Sequence, residues 1–310
     1  MAQALSCLEA ELILSQRFGT CRRVLALCGL LLCAACTEIT PKLSIDGRSE
    51  AFPAGFSHRA FDQVLKQSVD SDGLVDYASL KKMPEILEHY YSAVVRYSPD
   101  SHPERFPTES ERLAYWINGY NAAAIKIVLE YYPIPSVTAV KPPRALFFMP
   151  DKSGFFLFQR VCYGGIDTSL YGLENRVIRE RFAEPRVHFV LNCASRGCPR
   201  LPREAFEGRD LDRQLERETR RFFSEARNFR VDVEAKRVYL SSILDWYRED
   251  FIDWLERRYP NRKADLLQFA RLYLDQAGRR KLDRLPADYS IEFIDYDWRL
   301  NDQKPTDEPD

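Results

Sequence analysis

The chain has 310 residues, with 45 Lys+Arg against 46 Asp+Glu. That balance offers nucleic acid no basic surplus or stripe and gives an anionic membrane surface no polybasic run. With 45% hydrophobic and 13% aromatic residues the chain can bury a large core, which excludes disorder over most of its length.

The first segment reads as an address. Arg22-Arg23 precede the apolar run VLALCGLLLCAA and then Cys36. This is a basic start, a stretch too short to span a bilayer comfortably, and small residues before a cleavage point. The block LLCAAC resembles a bacterial lipobox, in which the cysteine receives a diacylglycerol, palmitate-type anchor. Cys33 stands where Leu is usual. Glu9 and Glu11 are acidic where such a segment should be basic, so residues 1–36 are read as a signal segment whose true start lies near 22–24. An ordinary cleaved signal or a short membrane anchor is the alternative. Each reading places the body outside the cytoplasm, where disulfides persist, and the lipobox reading makes it a lipid-anchored protein of the cell envelope facing the periplasm. Five of the eight cysteines (Cys7, Cys21, Cys28, Cys33 and Cys36) fall in this segment. Cys162, Cys193 and Cys198 are left for the body and allow at most one intramolecular pair.

Residues 37–52 are polar and read as a tether, 53–300 as a single domain, and 301–310 as a disordered acidic tail. Within the body, PTESERLAYWINGYNAAAIKIVLEYYP carries a capping box at Thr108 and Glu111, with Leu113, Ile117, Ala124 and Val128 at helical spacing. A second helix, SLYGLENRVIRER, follows Thr168-Ser169. RVHFVL reads as a strand. DLDRQLERETRRFFSEA is a helix with Leu211, Leu215, Phe222 and Phe223 inward and Glu216 and Arg220 paired on the wet face. FRVDV and RVYLS form a hairpin. SSILDWYREDFIDWLERRY is one helix with Ile243, Tyr247, Phe251 and Trp254 on a stripe, ADLLQFARLYL another, and SIEFIDYDW a last strand. Helices outnumber strands without βα alternation. The expected class is α+β, with helices around a small, mostly antiparallel sheet.

Candidate chemistry concentrates in HFVLNCASRGCPRLP, residues 188–202. His58, His89 and His102 lie in polar stretches and read as surface, which leaves His188 as the histidine that shares a neighbourhood with cysteines. If the strand ran straight, five residues would separate His188 from Cys193 by about 16 Å and onto opposite faces. The histidine can serve Cys193 only if the strand ends early and bends. Cys193 and Cys198 lie close enough for a bridge, which needs Cα atoms about 4.4–6.8 Å apart. Against that, Arg196, Arg200 and Arg203 surround the pair and favour a thiolate or an anionic ligand. The His-x4-Cys-x4-Cys spacing lacks the short Cys-x2-Cys of common zinc sites, so no metal or other cofactor is expected. Asn118 and Asn121, one turn apart in an apolar helix, either line a cleft or tie down loop backbone. Glu174 is either an acid that orients the histidine or an exposed carboxylate in a first helical turn.

These stretches resemble the domain-of-unknown-function 547 family: GLVDYASL (73–80), LAYWINGYNAAAI (113–125), SLYGLE (169–174), PRVHFVLNCASRGCPRL (185–201), LSSILDWYREDF (240–251) and IDYDWRLN (294–301). The resemblance covers most of the body in order and supplies no reaction. It directs attention to Asn118, Asn121, Glu174, His188, Cys193, Ser195, Cys198 and Pro199, and favours Cys193 over Cys198. Many members carry Glu-His where this chain has Glu174-Asn175. The resulting expectation is a thiol-dependent hydrolase or transferase, by analogy with papain or transglutaminase. Cys193 would be its nucleophile, His188 the base and Glu174 or Asn121 the orienting group. Donors within 193–198 would stabilise an oxyanion, and Asn118, Ser195, Arg196 and Arg200 would bind an unknown envelope substrate. The competing expectation is a non-catalytic binding or scaffold protein with a structural Cys193–Cys198 disulfide.

Overall fold

A computed structural model describes residues 37–39 and 55–304. The signal segment with Cys36, most of the tether and residues 305–310 lie outside the described residues. The spine is the helix α4, Glu109–Tyr131. Thr108 accepts from the Glu111 amide, and the Glu111 carboxylate accepts from the Thr108 amide, which together satisfy two donors of the first turn. Every residue from Leu113 to Leu129 is buried, so the helix is enclosed on all sides rather than along one stripe. Polar residues inside it must therefore find internal partners. Lys126 does so by pairing with buried Glu88.

Before α4 come α1 (Arg59–Ser68), α2 (Tyr77–Lys82) and α3 (Glu85–Arg96). Thr37–Glu38 (β1) lies parallel to β2 (Gln159–Tyr163), which pairs antiparallel with β3 (Ile166–Thr168). A short helix α5, Ser153–Phe156, leads into β2. After β3 the helix α6 is composite: Leu170–Gly172, a π-wound centre Leu173–Arg179, and Glu180–Phe182, with Ser169 capping its start. The second half supplies α7 (Leu211–Ser224), the hairpin β4 (Phe229–Asp232) and β5 (Arg237–Ser241), then α8 (Ser242–Trp246), α9 (Arg248–Arg258), α10 (Leu266–Tyr273) and α11 (Gln276–Asp283). The last strand, β6 (Ser290–Ile294), lies parallel to β5. The fold is α+β and a single domain. Its strands form two three-stranded mixed sheets rather than one mostly antiparallel sheet. Among the described residues no helix is long and apolar enough to cross a membrane.

Two apolar clusters meet at residues 187–191. One surrounds α4 and takes in Val187, Val190 and Leu191; the other is rich in phenylalanine and takes in Phe189, Phe222, Phe223, Phe251 and Phe269. The expected strand RVHFVL is instead a 3-10 turn, Pro185–Phe189. Pro185 lacks an amide, Glu184 accepts from the Arg186 amide, and neither sheet includes this segment, so local capping outweighs its β-branched composition. The helix expected over 241–259 is likewise broken. Tyr247, with φ −111° and ψ 24°, ends α8 and precedes α9.

The expected tail boundary also moves. Asn301 and Asp302 are buried, and Val75 donates its amide to the Asn301 carbonyl at 2.9 Å. The chain after β6 forms a strap behind residues 194–198. Arg196 and Gly197 donate their amides to the carbonyls of Arg299 and Asp297, each at 2.8 Å. Gly197 permits this approach: a Cβ there would stand 2.8 Å from the Asp297 nitrogen.

Candidate active-site cleft

A cavity of about 380 Å³ opens where α6, the 3-10 turn, the 191–199 loop, the α8–α9 junction and the strap converge. His188, Cys193 and Cys198 all line it. Because Pro185–Phe189 is a tight turn, the extended-strand objection to bringing His188 and Cys193 to one site does not apply.

His188 is buried and its orientation is fixed on two sides. Its Nε2 lies 2.7 Å from the Asp250 carboxylate, and its ring stacks on Tyr247 with centroids 3.8 Å apart. Arg179 donates to both oxygens of Asp250, from Nε at 2.7 Å and from Nη2 at 2.9 Å. Burial acts to raise the Asp250 pKa, but the hydrogen bonds from Arg179 and His188 outweigh it and hold the carboxyl well below the usual carboxylate range. An ionised carboxylate only accepts, so Nε2 carries the proton and Nδ1 is the nitrogen left to act as a base. Asp250 was missed by sequence reasoning. Its signal was present: it follows Tyr247 by three residues, one helical turn on, within the stretch LSSILDWYREDF.

Glu174, from the π-wound turn, is buried rather than exposed. The Tyr120 hydroxyl donates to it at 3.3 Å, and Tyr247 lines the same cavity. Burial first, and the charge of Glu174 second, push the Tyr120, Tyr247 and Tyr296 hydroxyls upward, so all three stay protonated donors. Glu174 thus engages Tyr120, while the group that orients His188 is Asp250. Asn175, beside it, accepts from Arg179 and donates to the Tyr171 carbonyl.

Cys193 and Cys198 are joined as a disulfide, with Cα atoms 6.3 Å apart. The Tyr296 hydroxyl lies 3.1 Å from one sulfur and 3.0 Å from the other. Between them Ala194 adopts φ 65°, a left-handed conformation costly for a residue with a Cβ. The Asn192 side chain holds it there, accepting from the Ala194 amide at 2.9 Å. The third cysteine of the body, Cys162, sits on β2, where burial and the neighbouring Asp167 push its thiol up to about 11.

The remaining candidates serve the loop from behind. Asn121 donates to the Val190 carbonyl and accepts from the Asn192 amide, at 3.0 and 2.8 Å. Asn118 does the same for Phe206, at 2.8 and 3.0 Å, and so holds the backbone at 206 rather than the 188–199 segment. Neither lines the cleft. Arg196 donates to the carbonyls of Leu300 and Asp302, Arg200 pairs with buried Glu218, and Arg203 donates to the Lys66 carbonyl. Ser195, Arg196 and Arg200 face a second groove behind the loop, which Cys198 also lines, so the expected arginines stand on the side of the bridge away from His188 rather than in the cleft. Five of the six amides from 193 to 198 are engaged too. Cys193 donates to the Cys198 sulfur, Ala194 to Asn192, Cys198 to the Ser195 carbonyl, and Arg196 and Gly197 to the strap. The Tyr296 hydroxyl is the side-chain donor that lies beside both sulfurs. His58, expected at the surface, is buried against the Tyr90 hydroxyl at 2.9 Å, and burial lowers its pKa to about 3. Among the described residues no group of three His, Cys, Asp or Glu side chains is placed to hold a metal ion.

Residues 104–223 match the family model described as "Protein of unknown function, DUF547". The matched stretch includes α4, α6, the 3-10 turn and both sulfurs, but not Tyr247, Asp250 or Tyr296. No curated protein and no solved structure matches the chain.

Proposed function

The chain belongs to the DUF547 family through residues 104–223, a membership that states no reaction, and from its cleft we propose a cysteine-dependent hydrolase or acyl transferase. Cys193 is the nucleophile once its bridge to Cys198 is reduced. The observation that carries this is one cavity lined by both Cys193 and a histidine whose Nε2 is locked to a carboxylate. A dithiol reductant supplies two electrons and two protons to open the bridge and becomes a disulfide itself. The Cys193 thiol then gives its proton to His188 Nδ1, and the thiolate attacks an acyl carbon. The Tyr296 hydroxyl is the donor for the oxyanion, and the imidazolium, stabilised by Asp250, returns the proton to the leaving group. Water or an acceptor nucleophile releases the acyl group and regenerates the thiol.

The test is a stopped-flow measurement with a p-nitrophenyl ester before and after reduction. Reduced protein should release a stoichiometric burst of nitrophenol that the oxidised protein and Cys193→Ser lack. The second reading, a binding or scaffold protein with a structural bridge, is favoured by the joined sulfurs themselves. It requires no burst in either state.

The placement that accompanies this reading is a lipid-anchored protein of the bacterial envelope facing the periplasm. Its support is the run from Arg22 to Cys36. A diacylated Cys36 would give two acyl chains, enough for stable attachment. Mass spectrometry of the mature N-terminal peptide tests it: an unmodified end cleaved elsewhere overturns the anchor.

A further inference from the structure

The mouth of the cleft holds a cation with no anion. Lys152, which immediately precedes α5, makes no ion pair among the described residues, while its neighbour Asp151 pairs with Lys141. The Lys152 Nζ instead lies 5.4 Å from the Trp246 ring centre and 5.3 Å from that of Trp298. These rings are stacked, 5.9 Å apart and inclined by 21°. Both pack on Tyr296, at 4.9 and 4.4 Å between centroids, and the Tyr296 hydroxyl touches the two sulfurs. Indole faces attract an ammonium within about 6 Å of their centres through the ring quadrupole.

Two features argue that this box is built for a visitor. Trp246 is 46% exposed, a large apolar ring kept at the rim of a cavity rather than in the core. Lys152 is itself exposed, on a flexible four-carbon stem, so its ammonium can exchange for another of the same chemistry. We propose that the Trp246–Trp298 pair is a subsite for the primary alkyl-ammonium group of the cleft's ligand, filled in this structure by Lys152 as an internal stand-in. A ligand seated there extends along Tyr296 toward the sulfurs. The inference rests on reading the cleft as a ligand site, but it concerns binding and not turnover.

The experiment therefore uses the full chain with the bridge intact, so that failure of the thiol reading leaves its result unaffected. Tryptophan fluorescence is titrated with N-acetyl-lysine methylamide, 1,5-diaminopentane, neutral N-acetyl-norleucine methylamide and methyl glucoside. In Lys152→Met the two cationic probes should bind about fivefold or more tighter than in the native chain, and the neutral probes should not saturate. Trp246→Ala in the Lys152→Met background should abolish the gain, and Trp246→Phe, which keeps an aromatic face should the alanine variant fail to fold, should retain part of it. Binding of the lysine derivative alone identifies a peptide ligand, and of the diamine alone a free amine; either supports the subsite. Equal binding of the norleucine amide, preference for the glucoside, or unchanged affinity in Lys152→Met overturns it.

Discussion

The two faces of the 190–200 loop are built on opposite terms. On the face away from the cleft the two asparagines and Arg196 are fixed on backbone: Asn121 clamps Val190 and Asn192, Asn192 clamps Pro199 and Ala194, and Arg196 reaches Leu300 and Asp302. On the cleft face the groups bond one another, His188 to Asp250 and Tyr296 to two sulfurs, around an open volume. The contrast separates residues that hold the site from residues able to take part in it. Asparagines that look catalytic in a list of polar residues are, in place, parts of the frame.

The largest effect should come from the frame. Asn121→Leu strands a buried carbonyl and a buried amide, and should cost about 2–5 kcal/mol, read as a lowered urea midpoint with unchanged slope. Cys193→Ser, on the cleft face, should cost about 2 kcal/mol under oxidising conditions, the loop-entropy value for so short a ring, and almost nothing once the native chain is reduced. If the two variants are equally destabilised in both redox states, the division between frame and cleft fails.

Asp250 sharpens the comparison by direction. Its folded pKa lies below the unfolded value of about 3.9, so the stability it contributes is present above about pH 4 and fades as pH falls through the folded pKa. The stability gap between native protein and Asp250→Asn should narrow on acidification, as followed by thermal melts from pH 7 to 2. A gap that widens in acid would show that the carboxylate is not held by Arg179 and His188. The smallest effect belongs to the wet face of α7, where Glu216 and Arg220 pair at 2.6 Å with both side chains well exposed. Arg220→Ala should change the unfolding free energy, followed by urea titration, by no more than about 0.3–0.5 kcal/mol.

What could be read from the sequence was local. The Thr108–Glu111 box, the β4–β5 hairpin and the inward positions of α7 each depend on residues a few places apart. Burial of Asn118 and Asn121 also followed from their apolar setting. The partners did not. His188 meets Asp250 across 62 residues, and Asn118 meets Phe206 across 88. No spacing rule reaches that far. The apolar run at 187–191 misled because β-branched residues report burial as much as strand. Here Phe189 enters one core while Val187, Val190 and Leu191 enter the other. The arginines misled for a related reason. Nearness along the chain placed them beside the thiols, whereas their side chains reach Glu218, Leu300 and Asp302.

The strap has a consequence in time. Tyr296, which touches both sulfurs, follows Cys193 by 103 residues and Cys198 by 98. A chain delivered from its N-terminus presents the two cysteines long before the segment that covers them. Until then Cys193 and Cys198 face any oxidant without Tyr296 over them and without the 297–299 backbone behind Gly197. The bridge therefore has a window in which to form on a half-built loop, and the arrival of the strap closes the loop around whichever redox state it finds.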